Sequence, residues 1–256
     1  MSNLLAFPMY AVNRADTDAL WRAVHALLLA RGVSVGDLVP GIPEEELLTH
    51  WQQPGLILSQ TCGYPLVTQL PDVQVVGCFH YAAPGCEGIA YRSLLVVRQE
   101  DKHLRVDDFR GRRVVCNSPD SQSGYNTLRK RVAPDTVNDY FSQVIFSGSH
   151  RQSLIEVARG EGDIAAIDCV TWALLQRHEP ERLAGLAVID RTPLTPGLPL
   201  ITSHNTSAET LNAIRDALRA LVDAPEHRDV CDAVLIGGFS VVTRQDYSQL
   251  LGSLVL

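Results

Sequence analysis

Hydroxyl, amide and glycine residues crowd one short segment, 117–126, which carries the side chains best suited to hold an anion. The segment follows the strand-like run Arg113–Cys116 and precedes the helix-like run Thr127–Val132. The first N–H groups of a helix have no partner inside the helix, and they carry part of the positive end of its dipole. This placement predicts a seat for an oxyanion such as phosphate, phosphonate, sulfate or carboxylate.

Four residues of this segment are the candidate ligands of the oxyanion. Ser121 and Ser123 can donate their hydroxyl hydrogens, and Gly124 and Tyr125 can offer backbone N–H groups, with the tyrosine ring as a cover. The alternative is structural, because serine is a common cap of helices and a tyrosine ring is often half-buried packing.

A second and a third polar segment also follow predicted strands. His150 comes after the run 147–149, at another predicted helix start, where its imidazole can donate to an anion or only pack in the first turn. Asp168 ends a strand-like run and precedes a helix. It either caps that helix or meets an ammonium or hydroxyl group at the far end of the ligand, because its carboxylate repels the anion itself.

Two further segments are candidates for the walls of the site. Gln60, Thr61 and Tyr64 follow a predicted strand and form a plausible opposite wall. Tyr91 and Ser93 precede the strand-like run 94–97 and can supply a ring and a hydroxyl. Alternation along an extended chain puts Tyr91 and Ser93 on one face. Both segments are also compatible with plain loop and core.

The pattern of apolar residues predicts the elements that position these side chains. Strands are predicted at 4–7, 56–58, 73–76, 94–97, 113–116, 144–146, 163–167 and 186–189, and helices at 16–31, from 43, 127–132, 150–159, 169–177, 208–222 and 226–235. Such alternation is typical of α/β folds with a largely parallel sheet. Ligands of these folds bind beyond the carboxyl ends of the strands, where the segments 117–126, 147–150 and 167–171 are expected.

Composition excludes several classes of partner. The chain has 256 residues, of which 46% are hydrophobic and 20% charged, and its formal net charge is -7. The negative charge argues against a nucleic-acid surface and against an anionic membrane surface, and no direct membrane insertion is expected. The start of the chain lacks the basic residues and long apolar stretch of an export signal. We therefore expect a cytoplasmic protein as the sequence is written, and a periplasmic one if it is a processed or trimmed form.

The sequence favours binding over catalysis. Six cysteines are too few for a disulfide scaffold, so free thiols are favoured, with pairing of Cys78 and Cys86 left open. The Cys78, His80 and Cys86 spacing matches no common zinc pattern, and no motif supports Cys62 as a nucleophile. The scarcity of lysine disfavours a Schiff-base cofactor. No cofactor, metal or catalytic residue is predicted.

Five stretches in the expected order resemble the phosphate/phosphonate substrate-binding proteins of ABC transporters. They cover roughly residues 55–200 and are Tyr91-x-Ser93, 107–114, 120–125, the His150 segment and 158–168. The resemblance implies a two-lobed fold of the type II periplasmic-binding-protein class, with a hinge and a ligand cleft between the lobes. Lobe one would be 1–94 plus 193–256, and lobe two 95–192.

The same resemblance implies roles for individual residues. Ser121, Ser123, Gly124 and His150 would hold the phosphoryl group, Tyr91 would line the cleft, and Asp168 would meet the other end of the ligand. The partners implied are a small phosphoryl or similar anion and an ABC permease. The chain departs from the family at Gln122, where the family often has a hydroxyl between the two serines.

Two other functions remain as alternatives. The first is a cytosolic enzyme on the same fold, similar to chorismate dehydratases, which the missing export signal favours. The second is a ligand-sensing module.

Overall fold

Strands and helices alternate along most of the chain in the computed structural model, which describes residues 3–39 and 41–252. The strands are β1 (Leu4–Ala6), β2 (Leu56–Gln60), β3 (Gln74–Tyr81), β4 (Ala90–Tyr91), β5 (Ser93–Arg98), β6 (Arg113–Cys116), β7 (Gln143–Phe146), β8 (Ile164–Asp168), β9 (Leu186–Arg191), β10 (Thr195–Pro196), β11 (Pro199–Thr202) and β12 (Ile236–Ser240). The helices are α1 (Arg14–Leu29), α2 (Leu47–Trp51), α3 (Gly63–Thr68), α4 (Thr127–Val132), α5 (Val137–Tyr140), α6 (His150–Ala158), α7 (Cys169–His178), α8 (Ala208–Asp223) and α9 (Arg228–Ala233).

The described chain divides into two compact units, and each unit has its own five-stranded sheet. Unit one comprises the described residues within Met1–Ala82, Cys86–Ala90 and Pro196–Leu256. Unit two comprises Ala83–Gly85 and Tyr91–Thr195. The described chain therefore passes from unit one into unit two and back, and unit two is mainly one continuous insertion. The lobe boundaries expected from the sequence lie a few residues away from these unit boundaries.

Both sheets mix parallel and antiparallel strands. The order in unit two is β7-β6-β8-β5-β9, with β6 parallel to β7 and β8 and with β5 antiparallel to β8 and β9. The order in unit one is β1-β2-β11-β3-β12, in which β1 and β2 are parallel and the other pairs are antiparallel. The prediction of a largely parallel sheet is therefore wrong. Its cause is that β11 and β12 were not recognised and that β5 runs opposite to β8.

Four strands were not predicted from the sequence: the two-residue strands β4 and β10, and the longer strands β11 and β12. The two longer ones contain residues that usually argue against a strand. β11 begins with Pro199, and β12 contains Gly237 and Gly238. Proline lacks an N–H for the ladder and glycine weakens a strand interior, so tertiary pairing outweighs local preference in both strands.

Each unit has a continuous apolar core around its sheet. In unit one, α1 buries a stripe of residues against the sheet and α8: Leu20, Trp21, Val24 and Leu28. The sequence predicted this helix at 16–31, whereas it begins at Arg14 and is capped by Asn13, whose side chain accepts from the Asp16 N–H. In unit two, α4 and α5 pack on strands β5, β6 and β8. These cores fix the strand ends from which the candidate site residues project.

Unit two also contains a charged network at the opposite end of its sheet from the serine segment. Asp163 accepts hydrogen bonds from the guanidinium groups of Arg98 at 2.8 Å and of Arg113 at 3.0 Å, and from the backbone N–H of Arg113 at 2.9 Å. Burial raises the pKa of the Asp163 carboxyl, but these hydrogen bonds outweigh burial and hold the pKa at about 2. The network ties the start of β6 to the end of β5 and to the turn before β8.

No helix within residues 3–39 and 41–252 is long and apolar enough to cross a membrane. All six cysteines are thiols outside any disulfide, and five of them are buried.

Candidate functional site

The three polar segments of unit two lie at one edge of its sheet. β7, β6 and β8 are parallel neighbours, so their carboxyl ends open onto the same edge. The segment 117–126 follows β6, the segment 147–150 follows β7, and Asp168 ends β8. The predicted convergence of these segments at one edge is confirmed.

Ser121 begins the helical part of the serine segment. It is the N-cap of the π-helical turn Gln122–Asn126, and its hydroxyl oxygen accepts a hydrogen bond from the Gly124 N–H at 3.0 Å. The carbonyl of Ser121 accepts from the N–H groups of Tyr125 and Asn126 at 3.2 and 2.9 Å. The hydroxyl hydrogen of Ser121 is not used in the contact with Gly124, since the oxygen is the acceptor there.

Ser123 joins the serine segment to the histidine segment. Its hydroxyl oxygen lies 2.8 Å from Nε2 of His150, which is the first residue of α6. Ser149 caps α6 by accepting from the N–H of Gln152 at 3.0 Å. Two helix starts that are far apart in sequence are thus joined by one side-chain hydrogen bond.

The ring of His150 is neutral near pH 7, because burial lowers its pKa to about 4. Nδ1 of this ring is buried and has no hydrogen-bond partner among the described residues. A buried N–H without a partner is rarer than a buried acceptor without one, so the favoured tautomer carries its hydrogen on Nε2. In that tautomer Nε2–H donates to the Ser123 oxygen, and the Ser123 hydroxyl keeps its own hydrogen for another acceptor.

The backbone of Ser123 is held by two other hydroxyl groups. Ser93, at the start of β5, donates from its hydroxyl to the Ser123 carbonyl oxygen at 2.7 Å, and Thr127 donates to the same oxygen at 3.0 Å. Ser93 is itself fixed, because its N–H donates to the hydroxyl oxygen of Thr192 at 2.8 Å. The structure therefore places Ser93 beneath the serine segment, with its hydroxyl engaged by Ser123.

Asn117 also lies against the candidate site, although its sequence context alone does not single it out. Its side-chain oxygen lies where a Cβ would stand on Gly124, and Cε1 of His150 lies 3.3 Å from that same position. This oxygen is buried and has no hydrogen-bond partner in the described part of the chain. A side chain at 124 would therefore force the Asn117 side chain to move. The position of Asn117 directly after β6 is the signal in the sequence that points toward it.

The other candidates of unit two have packing or capping contacts. Asp168 caps α7 by accepting from the Val170 N–H at 2.8 Å, and in the sheet it stands opposite Ser93. The Tyr125 ring is half-buried, with its centroid 5.7 Å from that of Phe146, whose side chain is 49% exposed. Tyr91 is almost fully buried at the end of β4.

The remaining three candidates belong to unit one. The Gln60 amide donates to the Tyr81 hydroxyl at 3.0 Å, Thr61 is fully buried, and Tyr64 lies half-buried in α3. Gln60 also lines a small recess of unit one whose other walls were not predicted: Phe7, Tyr10, Thr17, Leu20, Tyr81, Val234 and Ile236. No group of three or more metal-binding side chains occurs among the described residues.

Comparison with known proteins identifies the family. The model of a family described as the phosphonate periplasmic substrate-binding protein of ABC transporters matches residues 56–247. The chain belongs to this family. A phosphonates-binding periplasmic protein of Escherichia coli (strain K12) is 26% identical over 156 residues. That alignment covers 59% of this chain but 46% of the relative, so the chain matches about half of the relative's length.

The chain shares its two-lobed fold with several solved structures. PhnD1 from Prochlorococcus marinus (MIT 9301) in complex with methylphosphonate superposes with a TM-score of 0.78, 17% identity and coverage of 96% of this chain and 94% of that one. The binding-protein component of an ABC phosphonate transporter from Pseudomonas aeruginosa superposes with a TM-score of 0.74 and 18% identity, covering 98% of this chain and 86% of that one. XAC2383 from Xanthomonas citri bound to ATP superposes with a TM-score of 0.73 and 15% identity, covering 97% of this chain and 96% of that one.

Proposed function

We propose that this chain binds a small phosphonate or phosphate anion and traps it by closure of its two lobes, as the solute-binding component of an ABC transport system. The observation that carries the proposal is the cluster of Ser121, Ser123 and His150 at the carboxyl edge of the unit-two sheet. Membership of the phosphonate-binding family supports the same ligand class.

The cluster suits an oxyanion because it can present several donors without a formal positive charge. In the favoured tautomer of His150, the Ser123 hydroxyl hydrogen is free of the histidine, and the Ser121 hydroxyl acts as an acceptor toward Gly124. The first N–H groups of the helical turn add their partial positive charge. Oriented donors of this kind bind anions even in a protein whose net charge is -7.

The Gly124 N–H becomes a ligand donor only if it leaves the Ser121 oxygen. We propose this exchange on binding, since an anionic oxygen is a stronger acceptor than a neutral hydroxyl. Ser93 then contributes indirectly, by holding the Ser123 carbonyl.

The other residues are proposed as walls around the bound anion. Tyr91 and Tyr125 would line the site in unit two, and Asp168 would lie at the far end, away from the phosphoryl oxygens. Gln60, Thr61 and Tyr64 would contribute from unit one. Tyr125 has the support of its packing beside the exposed ring of Phe146.

The family description supplies the cellular setting of the proposal. Substrate-binding proteins of this family are periplasmic, so we propose that the chain works there and passes its ligand to an ABC permease. Ligand-dependent stimulation of the ATPase activity of the cognate transporter in liposomes measures this step directly.

Calorimetric titration with methylphosphonate, phosphate, aminoethylphosphonate and sulfate tests the ligand assignment. Thermal unfolding with and without ligand is a second measurement. A ligand at about one hundred times its dissociation constant is expected to add about 2.7 kcal/mol to the free energy of unfolding, which raises Tm by about 5–10 °C. The variant Ser121→Ala/Ser123→Ala is expected to weaken binding of methylphosphonate by about two orders of magnitude, because two hydroxyl contacts to a charged group are lost.

The variant Ser207→Ala is the matched control. Ser207 caps α8 in unit one through the Thr210 N–H at 3.1 Å, so its loss removes a helix cap without touching the proposed site. Unchanged affinity in Ser121→Ala/Ser123→Ala would remove this cluster from the binding site. Absence of binding to all four anions by the unaltered protein would refute the ligand class.

A further inference from the structure

We propose that Arg129 positions the serine segment for anion binding by acting through Asn126 and Gln122. The inference rests on the proposed function and adds Arg129 to it as a positioning residue. Nε and Nη2 of Arg129 both donate to Oδ1 of Asn126, at 3.1 and 2.8 Å. Nδ2 of Asn126 donates in turn to Oε1 of Gln122 at 2.6 Å.

The direction of this hydrogen-bond chain is fixed by chemistry. A guanidinium group has donors and no acceptor, so the atom of Asn126 that it contacts must be the carbonyl oxygen. The Asn126 amide nitrogen therefore faces Gln122, and the atom of Gln122 that receives it must be Oε1. The orientation of both amides thus depends on Arg129.

The chain is well placed to hold the serine segment still. Gln122 is 1% exposed and Asn126 0% exposed, so neither amide can exchange these contacts for bulk water at low cost. Gln122 lies between Ser121 and Ser123, and the N–H of Asn126 donates to the Ser121 carbonyl at 2.9 Å. Arg129 therefore acts through one residue, Asn126, which contacts both the side chain between the two serines and the backbone carbonyl of Ser121.

The Gln122 side chain extends back along the helix and accepts from Asn126. Positions 122, 126 and 129 are spaced so that they share one helix face. Gln122 is thus part of the support of the segment, and the positive charge of Arg129 lies on the same helix face.

A double-mutant cycle tests the inference with methylphosphonate as the titrant. The variants are Arg129→Met, which removes the guanidinium group but keeps an aliphatic stem, Gln122→Met, which keeps the length of the side chain, and their combination. Each single change is expected to weaken affinity by about tenfold, equivalent to the loss of one buried hydrogen bond. The combined variant is expected to bind no more than about twofold weaker than the weaker single variant, because both changes break the same chain.

Lys130→Met is the matched control for the loss of one positive charge from α4, since Lys130 is exposed and adjacent. Paired with Gln122→Met it is expected to act additively. A residue that only stabilises α4 would lower Tm without changing the dissociation constant, so both are measured for every variant.

Three results would overturn the inference. The first is a methylphosphonate affinity of Arg129→Met within twofold of that of the unaltered protein. The others are additive effects of the two changes in the combined variant, and an affinity of Gln122→Met equal to that of the unaltered protein. If Arg129→Met does not fold, Gln122→Met alone decides, and its full affinity refutes the role. Loss of binding in Ser121→Ala/Ser123→Ala alongside a silent Arg129→Met would leave the proposed function standing. An unaltered protein that binds no anion would overturn both.

Discussion

The hydroxyl oxygen of Ser123 and Nε2 of His150 lie 2.8 Å apart, although the two residues come from different helix starts 27 positions apart in the chain. The contact exists because β6 and β7 are adjacent and parallel, so the loops that follow them meet at one edge. It joins the serine segment to α6. It also determines whether the hydroxyl hydrogen of Ser123 is available to a ligand.

Replacement of His150 should therefore weaken anion binding more than it weakens the fold. His150→Phe keeps a ring but removes the donor to Ser123, and the affinity for methylphosphonate is expected to fall by about tenfold to a hundredfold. His150→Gln retains a donor nitrogen and should recover part of the loss. His103→Phe, at an exposed position of unit two, is the control. Isothermal titration of the three variants measures the effect.

The ratio of affinities of the unaltered protein and His150→Gln is expected to stay constant between pH 6 and 8. His150 keeps the same neutral form across that range because its pKa is about 4, and taking the ratio removes the ionisation of the ligand itself. A ratio that changes sharply near pH 6.5 would show that the histidine binds the anion in its charged form.

Gly124 should tolerate no side chain while Asn117 keeps its present position. A Cβ at 124 would collide with the side-chain oxygen of Asn117, so Gly124→Ala is expected to cost about 1–3 kcal/mol and to lower anion affinity. Gly185→Ala, at a glycine with open space around it, should be nearly neutral. Combining Gly124→Ala with Asn117→Gly should restore much of the stability, and thermal melts of the three variants would reveal whether it does.

The serine segment shows why part of the site was predictable from the sequence. A polar run between a strand and a helix is a local pattern, and parallel strands bring such runs to one edge by a general rule. The sequence pattern therefore suffices to assign Ser121, Ser123, His150 and Asp168 to segments at the carboxyl ends of strands.

The contacts that support the site were not predictable in the same way. The hydroxyl of Ser93 reaches the Ser123 carbonyl only because β5 runs antiparallel to β8, and the sequence had suggested a largely parallel sheet. The overlap of Asn117 with the empty side-chain space of Gly124 depends on the π-helical turn, which has no recognised sequence signal. Long-range pairing, including that of β11 and β12, decided what local preference left open.

Asp163 should be the most sensitive charged position of unit two. Asp163→Asn leaves Arg98 and Arg113 without their shared carboxylate, and because the site is partly exposed a loss of about 2–3 kcal/mol is expected. Asp216→Asn breaks the exposed pair with Arg219 and should cost less than about 1 kcal/mol. Urea unfolding at pH 7 measures both, and equal losses would contradict the role given to the network.

The stabilisation by Asp163 should also depend on pH in a defined window. Its pKa is about 2 in the folded protein and 3.8 is its ordinary value, so the folded state favours the ionised form. The contribution is complete above pH 4 and is lost as the pH falls through about 2. The difference in stability between the unaltered protein and Asp163→Asn should therefore shrink only below pH 4.

Acid should destabilise unit one at a higher pH, through His50. Its Nε2 lies 2.9 Å from the Ser59 hydroxyl oxygen, and burial lowers its pKa from 6.5 to about 4. Above pH 6.5 the ring is neutral in both the folded and the unfolded chain and adds no pH dependence. Between pH 6.5 and 4 the unfolded chain takes up a proton that the folded protein does not, so stability falls by about 1.4 kcal/mol for each pH unit.

His50→Gln should remove this acid sensitivity while keeping a side chain that can bond to Ser59. At pH 5 the variant is expected to have lost about 2 kcal/mol less than the unaltered protein relative to pH 7. Burial also lowers the pKa of His150 to about 4, so His50→Gln keeps the acid sensitivity that comes from His150. The double variant His50→Gln/His150→Gln should lose the acid sensitivity that comes from both histidines. His103→Gln, at an exposed position, is the control. If the free energies of unfolding of His50→Gln and of the unaltered protein differ by the same amount at every pH, His50 takes up its proton as readily in the folded protein as in the unfolded chain. That result would contradict the prediction.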